Sequence, residues 1–144
     1  MFKKFYSLVI LMSLMFIAQI ALAQNPSGRD RGELIRFFEL IELIENNPER
    51  NFNCSTNQRG DITCRTPRDS VTRSIDHFDR LTYRYNYDAT FICSAPSLQV
   101  DVECQDGARN YFRRTSNFSD TVSYRYNDVM SITCNRGFAI PDCY

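Results

Sequence analysis

YRYNYDATFIC at residues 83–93 and YRYNDVMSITC at residues 124–134 are two versions of one segment, which recurs after 41 positions. Each version reaches a cysteine ten residues after its first tyrosine. The cysteines extend the pattern, because their spacings are C-x9-C, C-x10-C and C-x8-C, with gaps of 28 and 29 residues between the pairs. A period of about 40 residues indicates an internal duplication. A third copy around Cys54 is degenerate, since a helix replaces its tyrosine strand.

Apolar and polar residues alternate within each version, which is the period of a half-buried β-strand. The residues predicted to face the core in the first version are Tyr83, Tyr85, Tyr87, Ala89, Phe91 and Cys93. In the second they are Val122, Tyr124, Tyr126, Met130, Ile132 and Cys134, with Asp128 as an exception. The same alternation places Arg84, Asn86, Arg125 and Asn127 on the outward face of an antiparallel sheet.

The six cysteines predict three disulfides, of which the repeat favours one set among fifteen pairings. Pairing within each copy joins Cys54 to Cys64, Cys93 to Cys104 and Cys134 to Cys143, and each bond closes a hairpin. The alternative set joins neighbouring copies, as Cys64 with Cys93, Cys104 with Cys134 and Cys54 with Cys143. No pair of short spacings typical of a zinc site is present, so we expect no metal.

A helix is predicted over residues 31–46. Asp30 and Glu33 have capping-box spacing, the segment 33–45 contains neither Gly nor Pro, and Asn46-Asn47-Pro48 ends it. Its apolar residues occur in pairs separated by single polar residues, so the helix is apolar on most sides. It either packs into a groove of its own domain or docks onto a partner or membrane. A second, short helix is predicted after Thr66, because Val71, Ile75 and Phe78 have helical spacing.

The N-terminus is typical of a signal peptide at residues 1–23. Lys3 and Lys4 precede an apolar run that ends in Ala21-Leu22-Ala23. We therefore expect a secreted or periplasmic protein with no membrane span after cleavage, a loose leader at 24–30 and one disulfide-stabilised domain at 31–144. The predicted fold class is α+β, with one N-terminal helix followed by a repeated, disulfide-closed antiparallel β-hairpin domain.

Charge argues against nucleic-acid binding. Both lysines lie in the predicted signal peptide, which leaves 15 arginines against 17 acidic residues and a formal charge of −2. Nucleic-acid-binding domains carry a basic face, and this composition does not predict one. Arginine without lysine suits anionic ligands or an internal network of ion pairs, although codon bias explains the composition equally simply. No cofactor motif is present.

The outward Arg84, Asn86, Arg125 and Asn127 form the candidate ligand-binding set, since they are duplicated and predicted to be exposed. We expect an exported non-enzymatic recognition or inhibitor-like module that binds another envelope or extracellular protein, with a glycan as the other partner class. A carbohydrate-binding module and a small secreted hydrolase are the alternatives. The hydrolase has weak support, because His77, the single histidine, cannot be tied to a nucleophile. No catalytic residue is assigned.

Overall fold

The computed structural model describes residues 29–46, 53–98, 101–117, 120–137 and 140–144. The predicted signal peptide and all of the leader but its last two residues lie outside the described residues. Residues Arg31–Tyr144 form one compact unit. No helix within the described ranges is long and apolar enough to cross a membrane.

One helix, α1, packs on a ten-stranded antiparallel sheet. The helix spans Arg31–Asn46, as predicted. The strands are β1 (Cys54–Thr56), β2 (Ile62–Arg65), β3 (Ser70–Ile75), β4 (Leu81–Tyr85), β5 (Ala89–Cys93), β6 (Val102–Gln105), β7 (Tyr111–Ser116), β8 (Thr121–Tyr126), β9 (Met130–Asn135) and β10 (Asp142–Cys143). Each strand pairs with the next one in sequence, so the sheet is an uninterrupted meander. The predicted α+β class is confirmed.

The disulfides join adjacent strands in the hairpin set. They link Cys54 to Cys64 across β1 and β2, Cys93 to Cys104 across β5 and β6, and Cys134 to Cys143 across β9 and β10. Each pair is directly opposite in the strand register. The prediction of pairing within copies is therefore confirmed, and three disulfides indicate an oxidising, extracytoplasmic compartment.

The helix is buried by its own sheet. It contacts β2 and β3 near one end of the sheet and β9 and β10 at the other, so the sheet curves around it. Phe37 and Phe38 lie at the centre of an aromatic cluster completed by Tyr85, Phe91, Phe112 and Tyr124. All six side chains are buried. Of the two alternatives for the apolar helix, packing within its own domain is the one observed.

The predicted inward face needs one correction, at residues 86–88. The segment 83–93 is not one strand but the hairpin β4–β5, in which Tyr85 pairs with Ala89. Asn86 and Tyr87 have φ values of 48° and 62°, the left-handed turn conformation that asparagine tolerates. The alternation stops there, so Tyr87 is 65% exposed rather than in the core. The duplicated Asn127 and Asp128 turn in the same way, at φ 48° and 55°.

The short helix predicted after Thr66 is wrong. The segment forms β3, which pairs with β2 and β4. Helical spacing of three apolar residues was a weak signal, because Ile75 and Phe78 are exposed and only Val71 is in the core. The backbone amides and carbonyls of this segment form hydrogen bonds with β2 and β4 instead of the internal hydrogen bonds of a helix.

Candidate functional site

Strand register makes two regions of the sheet equivalent, which we name the Tyr83 copy (residues 62–93) and the Tyr124 copy (residues 102–134). The pair Arg73 and Tyr83 corresponds to the pair Arg114 and Tyr124, since the members of each pair are directly opposite on neighbouring strands. The candidate residue Arg84 lies on the outward face of the first copy, and Arg125 lies at the same place in the second. Both are exposed.

The two candidate asparagines have structural contacts. Asn86 accepts a hydrogen bond from the backbone amide of Ser70 at 2.6 Å, and Asn127 accepts one from that of Tyr111 at 2.9 Å. Both side chains are half-buried, because the chain turns away from the strand at these positions. Each asparagine thus joins a hairpin turn to the start of the neighbouring strand, β3 for Asn86 and β7 for Asn127. A role in ligand binding stays a prediction for both residues.

Arg84 and Tyr87 form an exposed pair on the outward face of the Tyr83 copy. The guanidinium carbon of Arg84 lies 4.9 Å from the centre of the Tyr87 ring, a cation–π arrangement. Arg65 also donates a hydrogen bond to the Tyr87 hydroxyl at 3.3 Å. The tyrosine therefore contacts two arginines, one from β2 and one from β4, and this was not predicted because Tyr87 was assigned to the core.

An open cleft of about 280 Å³ adjoins this pair. It lies between the β2–β3 turn and the β4–β5 turn, and its lining residues are Arg65, Thr66, Pro67, Arg68, Asp69, Ser70, Asn86 and Tyr87. Within the described ranges no carboxylate pairs with Arg65, Arg68 or Arg84. The cleft and its rim therefore present positive charge beside an exposed aromatic ring.

Asp69 lines the cleft, but its own carboxylate is already occupied. Oδ2 accepts a hydrogen bond from Arg36 at 2.7 Å, and Oδ1 accepts from the Tyr85 hydroxyl at 2.5 Å and from Asn86 at 3.2 Å. Burial alone would raise the pKa of Asp69, but the hydrogen bonds from Tyr85, Arg36 and Asn86 lower it below its ordinary value. Burial and, after it, the hydrogen bond to Asp69 raise the pKa of Tyr85.

The lowered pKa of Asp69 predicts an acid-dependent stability. A depressed folded-state pKa contributes stability that is complete above the unfolded value, about 3.9, and is lost as the pH falls through the folded value. We expect Asp69→Asn, which copies the residue at the equivalent turn position, Asn110, to cost about 1–2 kcal/mol at neutral pH. The difference between variant and wild type should shrink on acidification. Urea unfolding of both proteins across the acid range measures this, and a constant difference would contradict it.

Two exposed arginines of the Tyr124 copy, in contrast, have acidic partners, while a third, Arg109, has none among the described residues. Arg125 lies 3.3 Å from the Asp128 carboxylate, and Arg113 lies 3.0 Å from that of Glu103. Tyr111 also donates to Asp128, and this hydrogen bond raises the pKa of the tyrosine. The two copies therefore differ in charge on a face where the sequence predicted them to be alike.

No known family, curated protein or solved structure matches this chain. His77 lies in the β3–β4 turn with its ring 3.9 Å from that of Phe78, and it is exposed. Among the described residues, no group of three potential metal ligands converges.

A buried ionic cluster surrounds Glu42; the composition suggested an internal network of ion pairs, but the sequence did not identify its residues. Glu42 lies on the helix with 0% exposure, and its Oε1 accepts hydrogen bonds from Arg114 at 2.9 Å and from Tyr124. Its Oε2 accepts from Arg136 at 3.0 Å. Arg114, which is 2% exposed, also donates to the Leu98 carbonyl at 2.6 Å. Burial raises the pKa of Tyr124 far above its ordinary value, so its hydroxyl stays a donor.

The Tyr83 copy repeats this arrangement one helical turn later. Glu45 accepts hydrogen bonds from Arg73 at 2.9 Å and from the Tyr83 hydroxyl at 2.6 Å. The equivalent Arg and Tyr pairs of the two copies therefore each bind a glutamate of the same helix. The signal was present in the sequence as the polar residues that interrupt the apolar helix, but their partners lie in strands far along the chain.

Proposed function

We propose that this protein is an exported, non-enzymatic recognition module whose ligand is another envelope or extracellular protein. The observation that carries the proposal is the exposed pair of Arg84 and Tyr87 at the rim of an open cleft. Tyrosine and arginine are enriched among the residues that dominate binding energy at protein interfaces. A folded, disulfide-closed sheet presents them with little loss of conformational entropy on binding.

The proposed location is the periplasm or the outside of the cell. The three disulfides support an oxidising compartment, and the sequence of residues 1–23 supports export into it. A recognition module in such a compartment meets other envelope proteins and surface glycans.

Carbohydrate binding is the second candidate, and the exposed Tyr87 ring favours it. Aromatic rings stack on sugars, and this ring is 65% exposed. Arg84 lies over the ring, however, which leaves less of its surface for a sugar. The protein ligand is therefore preferred. No observation favours the hydrolase.

The test is capture of a partner by the mature protein from an extracellular and envelope fraction. We expect one defined protein to be retained, and Tyr87→Ala to reduce its retention about tenfold, the loss of roughly 1.4 kcal/mol of binding energy. Tyr144→Ala is the matched control, because Tyr144 is also exposed and follows β10, the last strand of the sheet. Both variants should unfold at the wild-type temperature, since surface substitutions change stability by about 0.5 kcal/mol at most.

Two results would overturn the proposal. Equal loss of capture by the two tyrosine variants would show that the Tyr87 region is not the binding surface. Retention of polysaccharide instead of protein would favour the carbohydrate-binding alternative.

A further inference from the structure

We propose that the cleft of the Tyr83 copy binds an acidic segment of the partner protein, whose carboxylates pair with Arg65, Arg68 and Arg84. This inference rests on the proposed function and names the chemistry of its ligand. Arginine is suited to this task, because its planar guanidinium forms two-pronged hydrogen bonds with a carboxylate. An open cleft between two turns also admits an extended chain more readily than an enclosed cavity would.

The Tyr124 copy serves as an internal reference for the interaction. There the protein supplies its own carboxylates to the outward arginines, Asp128 to Arg125 and Glu103 to Arg113. Arg113 and Arg125 are thus neutralised within the molecule, whereas Arg109, the exposed counterpart of Arg68, has no carboxylate partner among the described residues. An external acidic group would have to displace an existing ion pair in order to bind to Arg113 or Arg125.

The Tyr83 copy has replaced both acidic residues. By strand register, Tyr87 stands where Asp128 stands in the other copy, and Thr63 stands in the place of Glu103. Thr63 shares a hydrogen bond of 2.9 Å with Thr72, which occupies the position of Arg113. The guanidinium of Arg84 therefore faces an aromatic ring instead of a carboxylate.

The same comparison adds positive charge at the cleft. Arg65 corresponds in register to the neutral Gln105. The acidic residue in the lining, Asp69, has its two oxygens occupied by Arg36, Tyr85 and Asn86. Asp88 follows Tyr87 in the turn and is exposed, and among the described residues it forms no ion pair with the cleft arginines. Three guanidiniums against this one free carboxylate leave the described part of the cleft net positive.

Titration with a fluorescent octaglutamate peptide tests the inference, with octaglutamine as the neutral control. We expect the intact mature protein to bind octaglutamate at low salt, weakly and in competition with added salt. Tyr87→Asp should weaken this binding about tenfold, because it places a carboxylate beside Arg84 as Asp128 lies beside Arg125. The double variant Arg65→Gln with Arg84→Gln should show a comparable loss.

Arg113→Gln is the matched control, since it removes an outward arginine that already pairs with Glu103. Its binding of octaglutamate should be unchanged. Equal weakening by Arg113→Gln and by the cleft variants would overturn the inference in favour of unspecific charge attraction. Displacement of the peptide by inorganic phosphate at matched ionic strength would overturn it in favour of a small-anion site.

The inference and the proposed function fail in distinguishable ways. If Tyr87→Ala abolishes partner capture while octaglutamate does not bind to the wild type, the recognition surface stands and the acidic ligand is wrong. If octaglutamate binds in the predicted way while no partner protein is retained, the cleft does bind acidic peptides but the proposed function is wrong.

Discussion

Glu42→Ala is expected to destabilise the protein by about 3–5 kcal/mol, because it leaves a buried guanidinium without its counter-charge. Arg114 is 2% exposed, and Glu42 is the carboxylate that pairs with it. The Tyr124 hydroxyl would lose its acceptor in the same variant. Removing one member of a buried pair is costlier than removing both, since the remaining charge cannot be solvated.

Two further variants sharpen this experiment. Glu45→Ala removes the equivalent glutamate of the Tyr83 copy, but the Arg73 side chain that pairs with it is 23% exposed and can be solvated. We expect its effect to be smaller, about 1–2 kcal/mol. Glu42→Leu combined with Arg114→Met should recover part of the loss, because apolar pairs of similar size often replace buried ion pairs. Urea unfolding measures all three, and a Glu42→Ala effect below that of Glu45→Ala would contradict the assignment.

Phe37→Ala is expected to cost about 3–5 kcal/mol, the usual range for removing a buried aromatic ring from a core. Phe37 is 0% exposed, and its ring lies 4.9 Å from that of Tyr85 and 5.4 Å from that of Phe91. It therefore connects the helix to the centre of the curved sheet. Its loss would leave a cavity that ten strands tied by three disulfides cannot easily close.

Phe78→Ala provides the matched control, since it is the same substitution in a β3–β4 turn where the ring is 66% exposed. We expect a change of about 0.5 kcal/mol or less. Thermal and urea unfolding under non-reducing conditions compare the two variants. Similar destabilisation by both would show that Phe37 does not occupy the core as described.

Local pattern alone identified much of the fold. The limits of the helix followed from capping and from the asparagines and proline at 46–48. The pairing of all six cysteines followed from the repeat, because equivalent copies form equivalent hairpins. These features depend on residues close together in the sequence, where spacing carries the information.

The hairpin turns were harder to predict than the helix. The alternation of apolar and polar residues continues through the sequence even where the chain reverses direction. Tyr87 fits the inward register of its strand, and only the left-handed backbone at Asn86 and Tyr87 moves it to the surface. Asn86-Tyr87 is a weaker sequence signal for a hairpin turn than Asn-Gly. The sequence therefore did not show that residues 83–93 form two short strands and not one long strand.

The sequence by itself determined the helix, the repeat and the disulfide pairs, because each is encoded by neighbouring residues or by a regular period; the export signal at residues 1–23 stays a prediction of the sequence. Tertiary structure alone decided the partners of charged residues. Glu42 meets Arg114 across 72 positions of sequence, and Arg65 meets Tyr87 across 22. Curvature of the sheet around the helix and the strand register bring these groups together, and neither quantity can be read from a local pattern. These tertiary contacts explain why the Tyr83 copy and the Tyr124 copy differ in surface charge although they look alike in sequence.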